Sequence, residues 1–159
     1  PCQISLMGEY SKNLAFNRGE IESKAVNNRG AIPVDPVATA TTTAADGTTT
    51  TTAPTPVGAY EGGDTAWGVT LQLGKSVFEE RGDWNLVFGY RYIESDALVD
   101  AFTDSDFGNG GTNLKGYIVG GNVALSKRTR LGLKWMGATQ IAGPPLKADV
   151  FLLDINAKF

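Results

Sequence analysis

Apolar and polar residues alternate along six stretches of this chain, the period of two expected of strands whose side chains point to opposite faces. Trp67, Val69, Leu71 and Leu73 alternate with Ala66, Gly68, Thr70 and Gln72. Trp84, Leu86, Phe88, Tyr90 and Tyr92 alternate with Asn85, Val87, Gly89 and Arg91. Tyr117, Val119, Gly121, Val123 and Leu125 alternate with Gly116, Ile118, Gly120 and Asn122, and Leu131, Leu133 and Trp135 with Arg130, Gly132 and Lys134. The last stretch, 151–159, sets Phe151, Leu153, Ile155, Ala157 and Phe159 against Leu152, Asp154, Asn156 and Lys158. A weaker strand opens the chain, with Ile4, Leu6 and Tyr10 against Gln3, Ser5, Glu9 and Ser11. The apolar sets carry no Asp, Glu, Lys or Arg. The strands approach the ~9–11 residues that a tilted strand needs to cross a bilayer, more than the ~5–6 usual in globular sheets.

The connections alternate between short and long. Residues 76–83, with Glu79-Glu80-Arg81-Gly82, and residues 126–129 are short. Residues 13–63 and 94–111 are long, and the proline-containing 140–146 is intermediate. Membrane barrels place short turns on the periplasmic side and longer loops outside. Counting back from a periplasmic Phe159, strand parity puts each long segment outside. Tyr10, Trp67, Tyr90, Tyr92, Tyr117, Trp135 and Phe151 then fall in the outer half of their strands, with Trp84 and Phe159 at the inner ends. Rings favour the headgroup level, so this distribution predicts two aromatic girdles. The competing reading is a soluble β-sandwich or lipocalin-like barrel, which uses the same alternation.

The segment 13–63 changes composition sharply. Its middle is rich in Thr and Ala and ends in Ala53-Pro54-Thr55-Pro56. With few apolar residues to bury, it is expected to be a mobile extracellular insertion whose ordering entropy nothing offsets. Its flanks, with Phe16, Ile21, Ile32 and Val34, are expected to fold back onto the barrel mouth.

Composition narrows the chemistry. The chain has 159 residues, the length of one domain, and no apolar run near the ~20 residues of a spanning helix. No His and one Cys, Cys2, leave no zinc constellation and no Ser–His or Cys–His pair. No enzymatic activity, metal or cofactor is expected. A net charge of -3 argues against nucleic acid as a partner.

Six strands are too few for a closed membrane barrel, the smallest having about eight. The chain is therefore expected to be the C-terminal portion, 1–159, of a larger all-β antiparallel transmembrane barrel. Its remaining strands come from the same chain, further copies or another polypeptide.

The terminal strand, with Phe151, Leu153 and Ile155 leading to Phe159, resembles the closing strand of bacterial outer-membrane barrels, the segment read there by the insertion machinery. The run 84–159 also resembles the C-terminal end of the Gram-negative putative porin family. The likeness is carried by Asp83-Trp84-Asn85-Leu86, Gly89-Tyr90-Arg91-Tyr92-Ile93-Glu94-Ser95-Asp96-Ala97, Asp104-Ser105-Asp106-Phe107, Gly110-Gly111-Thr112-Asn113, Thr129-Arg130-Leu131-Gly132 and the closing Phe159. It implies a passive diffusion channel, multi-pass in the outer membrane, with the bilayer and lipopolysaccharide as surroundings and a possible homo-oligomeric state.

On that reading the inward face lines the pore. It carries Glu9, Arg91, Arg130, Lys134, Asp154 and Lys158, spaced by glycines and otherwise polar. Four basic residues against two acidic ones predict a mild anion preference. Equally, Arg130 or Lys134 pairs with Asp154 and cross-links the wall, whereas Arg91 has fewer obvious partners. The acidic loop with Glu94, Asp96, Asp100, Asp104 and Asp106 only loosely matches a calcium loop, lacking a bidentate acid at its end. It is expected to be solvated or folded inward as a constriction. Besides the diffusion porin, an outer-membrane sheath around a threaded partner, such as an electron-transfer protein, fits the pattern. A lipocalin-like binder does not, since its pocket needs apolar residues inside.

Overall fold

The computed structural model describes residues 2–25, 27–30, 40–43, 49–52 and 58–158. The strands are β1 (Gln3–Lys12), β2 (Ala40–Thr43), β3 (Thr49–Thr52), β4 (Thr65–Gly74), β5 (Trp84–Ile93), β6 (Leu114–Ala124), β7 (Thr129–Gln140) and β8 (Lys147–Ala157). Among the described residues one short helix, α1 (Arg18–Lys24), lies between β1 and β2, and a 3-10 turn spans Asp100–Phe102. Among the described residues no helix is long and apolar enough to cross a membrane. β1, β4, β5, β6, β7 and β8 form one antiparallel sheet in that order, every neighbour a sequence neighbour once the β2–β3 hairpin is set aside. The sheet is all-β and up-and-down, and it is not closed: β1 and β8 are edges.

The pairing keeps the predicted parity throughout. Ile4, Leu73, Leu86, Gly121, Leu133 and Leu153 lie in register across the sheet, and so do Leu6, Leu71, Phe88, Val119, Trp135 and Phe151. Among the described residues nothing covers this apolar face. Leu6 is 74% exposed, Leu133 59% and Leu153 69%, so it is no half of a sandwich core. An uncovered apolar surface of this extent marks contact with a membrane or another apolar partner.

Three expectations are corrected. β8 begins at Lys147 and ends at Ala157, so Lys158 lies one residue beyond the strand, and Phe159 lies outside the described residues. That earlier start, with the longer β1 and β6, puts Lys12, Lys115, Lys147 and Asp149 on the apolar face, which is therefore not charge-free. All four sit at one end of the strands, where long lysine stems run along apolar surface and keep the charge in water, and Lys147 Nζ lies 3.5 Å from Asp149 Oδ2. Finally, the Thr-rich segment carries a hairpin where no strand was expected: Ala40–Thr43 pairs antiparallel with Thr49–Thr52. β-branched threonine favours extended backbone, which a low apolar content does not cancel. Ile32, Val34 and residues 53–56 lie outside the described residues.

At the end of the sheet where the short turns lie, the β4–β5 turn is organised by one carboxylate. Asp83 Oδ2 accepts the backbone N–H groups of Glu79 and Glu80 at 2.9 and 3.0 Å, and Lys75 Nζ lies 2.7 Å from Oδ1. Gly82, at φ +88, adopts the left-handed backbone the turn needs. The Lys75 ammonium, then the two backbone donors, pull the Asp83 carboxyl down to about 2. A depressed carboxylate stabilises the fold above its ordinary pKa, and that contribution is lost as pH falls through the folded value. Unfolding followed between pH 5 and about pH 2 should show stability falling with acid. Asp83→Asn should flatten that limb, and an unchanged acid slope would assign it to other groups.

Candidate functional site

The opposite face is the one the loops cover. In register across it lie Glu9, Gly68, Arg91, Gly116, Ala138 and Ala148; one rung further from the loops come Met7, Thr70, Gly89, Ile118, Met136 and Val150. The expectation of a face made only of small, polar and charged residues is therefore incomplete: Ile118, Met136, Val150 and Leu152 form an apolar socket on it. The socket has an occupant. Phe107, from the loop 94–113, is 2% exposed and packs with Leu114, Met136 and Ala138, flanked by Ile118, Val150 and Leu152.

This loop lies against the sheet rather than out in solvent. Arg91 Nη1 donates to Asp104 Oδ2 at 3.1 Å, and the Arg91 guanidinium stands 5.8 Å from the Phe107 ring centroid. The partner that neighbouring strands do not supply to Arg91 is thus a loop carboxylate. Asp104 Oδ1 accepts the Asp106 N–H, and Asp100 Oδ1 accepts both the N–H and the hydroxyl of Thr112. The tight path uses Gly108, Asn109, Gly110, Gly111 and Asn113, all at positive φ. These carboxylates are spent on the loop's own backbone and on Arg91, not arranged as a calcium cage.

Two further loops lock onto the first. Asn113, 7% exposed, donates to Asn28 Oδ1 at 2.7 Å and to the Ala142 carbonyl at 2.9 Å, and its own oxygen accepts the Ala142 N–H. Tyr60 is buried, with its hydroxyl bonded to Ser95 and Asp96. Burial, then the Asp96 contact, raises the Tyr60 phenol above its ordinary pKa, which keeps it a donor. Arg18, on α1, donates to the carbonyls of Tyr60 and Gly62, both at 3.0 Å. The described flanks of the long segment thus lie against the loop 94–113 at the loop end of the sheet. Below them, Glu9, Arg91, Phe102 and Asp104 line a cavity of about 480 Å³ beside β1.

The other sequence-derived residues separate into two groups. Arg130, Lys134 and Asp154 share the covered face near the turns, but Asp154 sits opposite Gly132 and Lys134 opposite Leu152. Neither Arg130 nor Lys134 forms an ion pair with Asp154. Arg130 instead stacks on Phe78, its guanidinium 5.6 Å from the ring. On the uncovered face the expected aromatics gather near the loop end. Trp67 lies 5.5 Å from Tyr90 and 5.9 Å from Tyr92, Tyr117 lies 5.1 Å from Trp135, and Trp135 stacks on Phe151 at 5.6 Å. Tyr10 is in register with Trp67, while Trp84 stands at the turn end. The sequence reading assigned no role to Phe107, Phe78, Tyr60 or Asn113, although the family likeness runs through Phe107 and Asn113; the signal for Phe107 was an aromatic directly following the acidic run and preceding the glycines of the loop.

Phe107→Ala should remove about 3–5 kcal/mol of packing, the usual cost of emptying a buried phenylalanine site. Amide exchange across 94–113 should rise while the β5 and β6 amides keep their protection. Unchanged exchange in the loop would mean that Phe107 does not hold it.

No curated protein and no solved structure matches the chain. A protein-family model described as "putative porin" matches residues 1–159, the whole length given. With long up-and-down strands, an uncovered apolar face and a loop-filled polar one, the chain belongs to the putative porin family.

Proposed function

We propose that this chain forms part of the wall of a water-filled diffusion channel in a bacterial outer membrane. Its uncovered face meets lipid and lipopolysaccharide, and its covered face lines the lumen. Membership of the porin family supports a channel role. The observation that carries the rest is the docking of Phe107 on the polar face, which lays an acidic loop across the lumen as a constriction. A sheet edge in lipid leaves backbone groups unpaired at several kcal/mol each, so β1 and β8 must pair with further strands. Long segments then face the exterior and short turns the periplasm.

The charge pattern along the lumen differs from a count of strand residues. At the exterior end the loop brings Glu94, Asp96, Asp100, Asp104 and Asp106, with Asp104 paired to the strand cation Arg91; at the other end stand Arg130, Lys134 and Lys158. Fixed charges at the narrowest point set selectivity. The constriction therefore favours cations, and the mild anion preference belongs only to the periplasmic half. The alternative role as a sheath for a threaded partner is weakened by a loop that already occupies the lumen.

Barrels complete in their strands, reconstituted in planar bilayers, should conduct. Arg91→Gln, which frees Asp104 and loosens the loop, should raise conductance and shift the reversal potential in a salt gradient further toward cations. Folded barrels that do not conduct would favour the sheath. A channel indifferent to Arg91→Gln would place the constriction elsewhere.

A further inference from the structure

A second polar feature stands at the opposite end of the covered face, away from the constriction. The β4–β5 turn carries Phe78 across to the β6–β7 turn and the end of β8. The cleft so formed, about 250 Å³, is lined by Lys127, Arg128, Arg130 and Lys158, with Phe78 and Ser126 among its walls. Among the described residues no carboxylate lines it, and none of these four cations forms an ion pair. That contrasts with Lys75 and Arg91, each neutralised by an aspartate.

Four exposed cationic residues line one cleft, and the fold sets the backbone positions that bring them together. Arg130 is held by its ring contact with Phe78. The β6–β7 turn is set by Ser126 Oγ, which accepts the Arg128 N–H at 3.1 Å. The Lys158 N–H donates to the Arg128 carbonyl at 2.9 Å, tying the chain beyond β8 to the same turn. Two arginines and two lysines lining one small cleft suit an oxyanion, because a guanidinium fork matches its oxygens pairwise and an ammonium adds point charge. The volume lies below the ~300–1,000 Å³ of sites for drug-sized ligands, so the occupant is small.

We propose that this cleft is a binding site for a small oxyanion of the phosphate type at the periplasmic mouth of the lumen. It rests on the reading of the covered face as lumen, since there the ligand arrives free in solution rather than as a lipid headgroup. The site concentrates anions on the side opposite the acidic constriction.

The test is calorimetric titration of inorganic phosphate into the complete, folded barrel in neutral detergent, which needs no conduction. Phosphate should bind, more tightly than chloride, and more weakly as salt is raised. Arg128→Gln and Arg130→Gln should each weaken binding about tenfold or more, the worth of a charge-assisted hydrogen bond. Lys158→Gln, at an exposed position beyond the strand, gives the same direction of change without touching the sheet. Lys115→Gln, on the other face, should leave binding unchanged. Phosphate that binds only when anionic lipid is absent from mixed micelles would show that the cleft takes headgroups and overturn the free-anion site. No phosphate binding by folded barrels, or binding indifferent to Arg130→Gln and Lys158→Gln, would overturn it outright. A barrel that binds phosphate and does not conduct would keep the site and discard the channel.

Discussion

A strand one residue out of register turns its whole apolar set to the wrong face, and in this sheet every consecutive pairing keeps the same parity from β1 to β8. Everything else follows from that constraint. Because Leu6, Leu71, Phe88, Val119, Trp135 and Phe151 line up, one side is a continuous apolar surface that none of the described residues covers. Because Met136 and Ile118 fall on the other side, there is a socket for Phe107. A slip at a single pairing would bring Arg91 to the apolar surface and take away the Asp104 contact. The glycines support close pairing rather than only leaving space. A Cβ at Gly116 would meet the Gly137 carbonyl at 1.9 Å, and one at Gly137 would meet the Tyr117 ring at 2.9 Å.

The loop 94–113 changes what the covered face does chemically. Strand residues alone make that face basic; the loop adds carboxylates at one end and consumes the charge of Arg91. Its position depends on three kinds of contact that act together: an apolar anchor at Phe107, an ion pair at Arg91, and the Asn113 node to neighbouring loops. Exposed ion pairs contribute little by themselves, while a buried ring contributes several-fold more. Phe107 therefore sets whether the loop is docked, and Arg91 sets how its carboxylates are oriented.

Most of the sheet was legible in the sequence because period-two patterning reports directly on which face a residue occupies. The interiors of β4, β5 and β6 were recovered within a residue or two. β7 and β8 were harder, since Gly137, Ala138 and Ala148 carry no hydropathy contrast and Lys147 and Asp149 break the pattern at the strand end. The loop was less legible for a different reason. Its acids look solvated until their partners are known, and those partners, Arg91 on a strand and Thr112 within the loop, are set by tertiary folding. Hydrophobic residues on the polar face, Ile118 and Met136, were the available hint that something covers it. The basic cleft was invisible because Phe78 and Arg130 are brought together only by the fold of a turn.

The central claim is that the two faces meet different surroundings, lipid on one side and a loop-lined aqueous space on the other. Spin labels placed singly along β5 from Leu86 to Arg91, in a barrel whose Cys2 is replaced by serine, test it most directly. In bilayers, collision with membrane-dissolved oxygen should dominate at Leu86, Phe88 and Tyr90, and collision with a water-soluble nickel complex at Val87, Gly89 and Arg91. Accessibility that alternates with a period of two is the predicted result. Uniform access to the aqueous reagent, or the same alternation with the faces exchanged, would contradict the account.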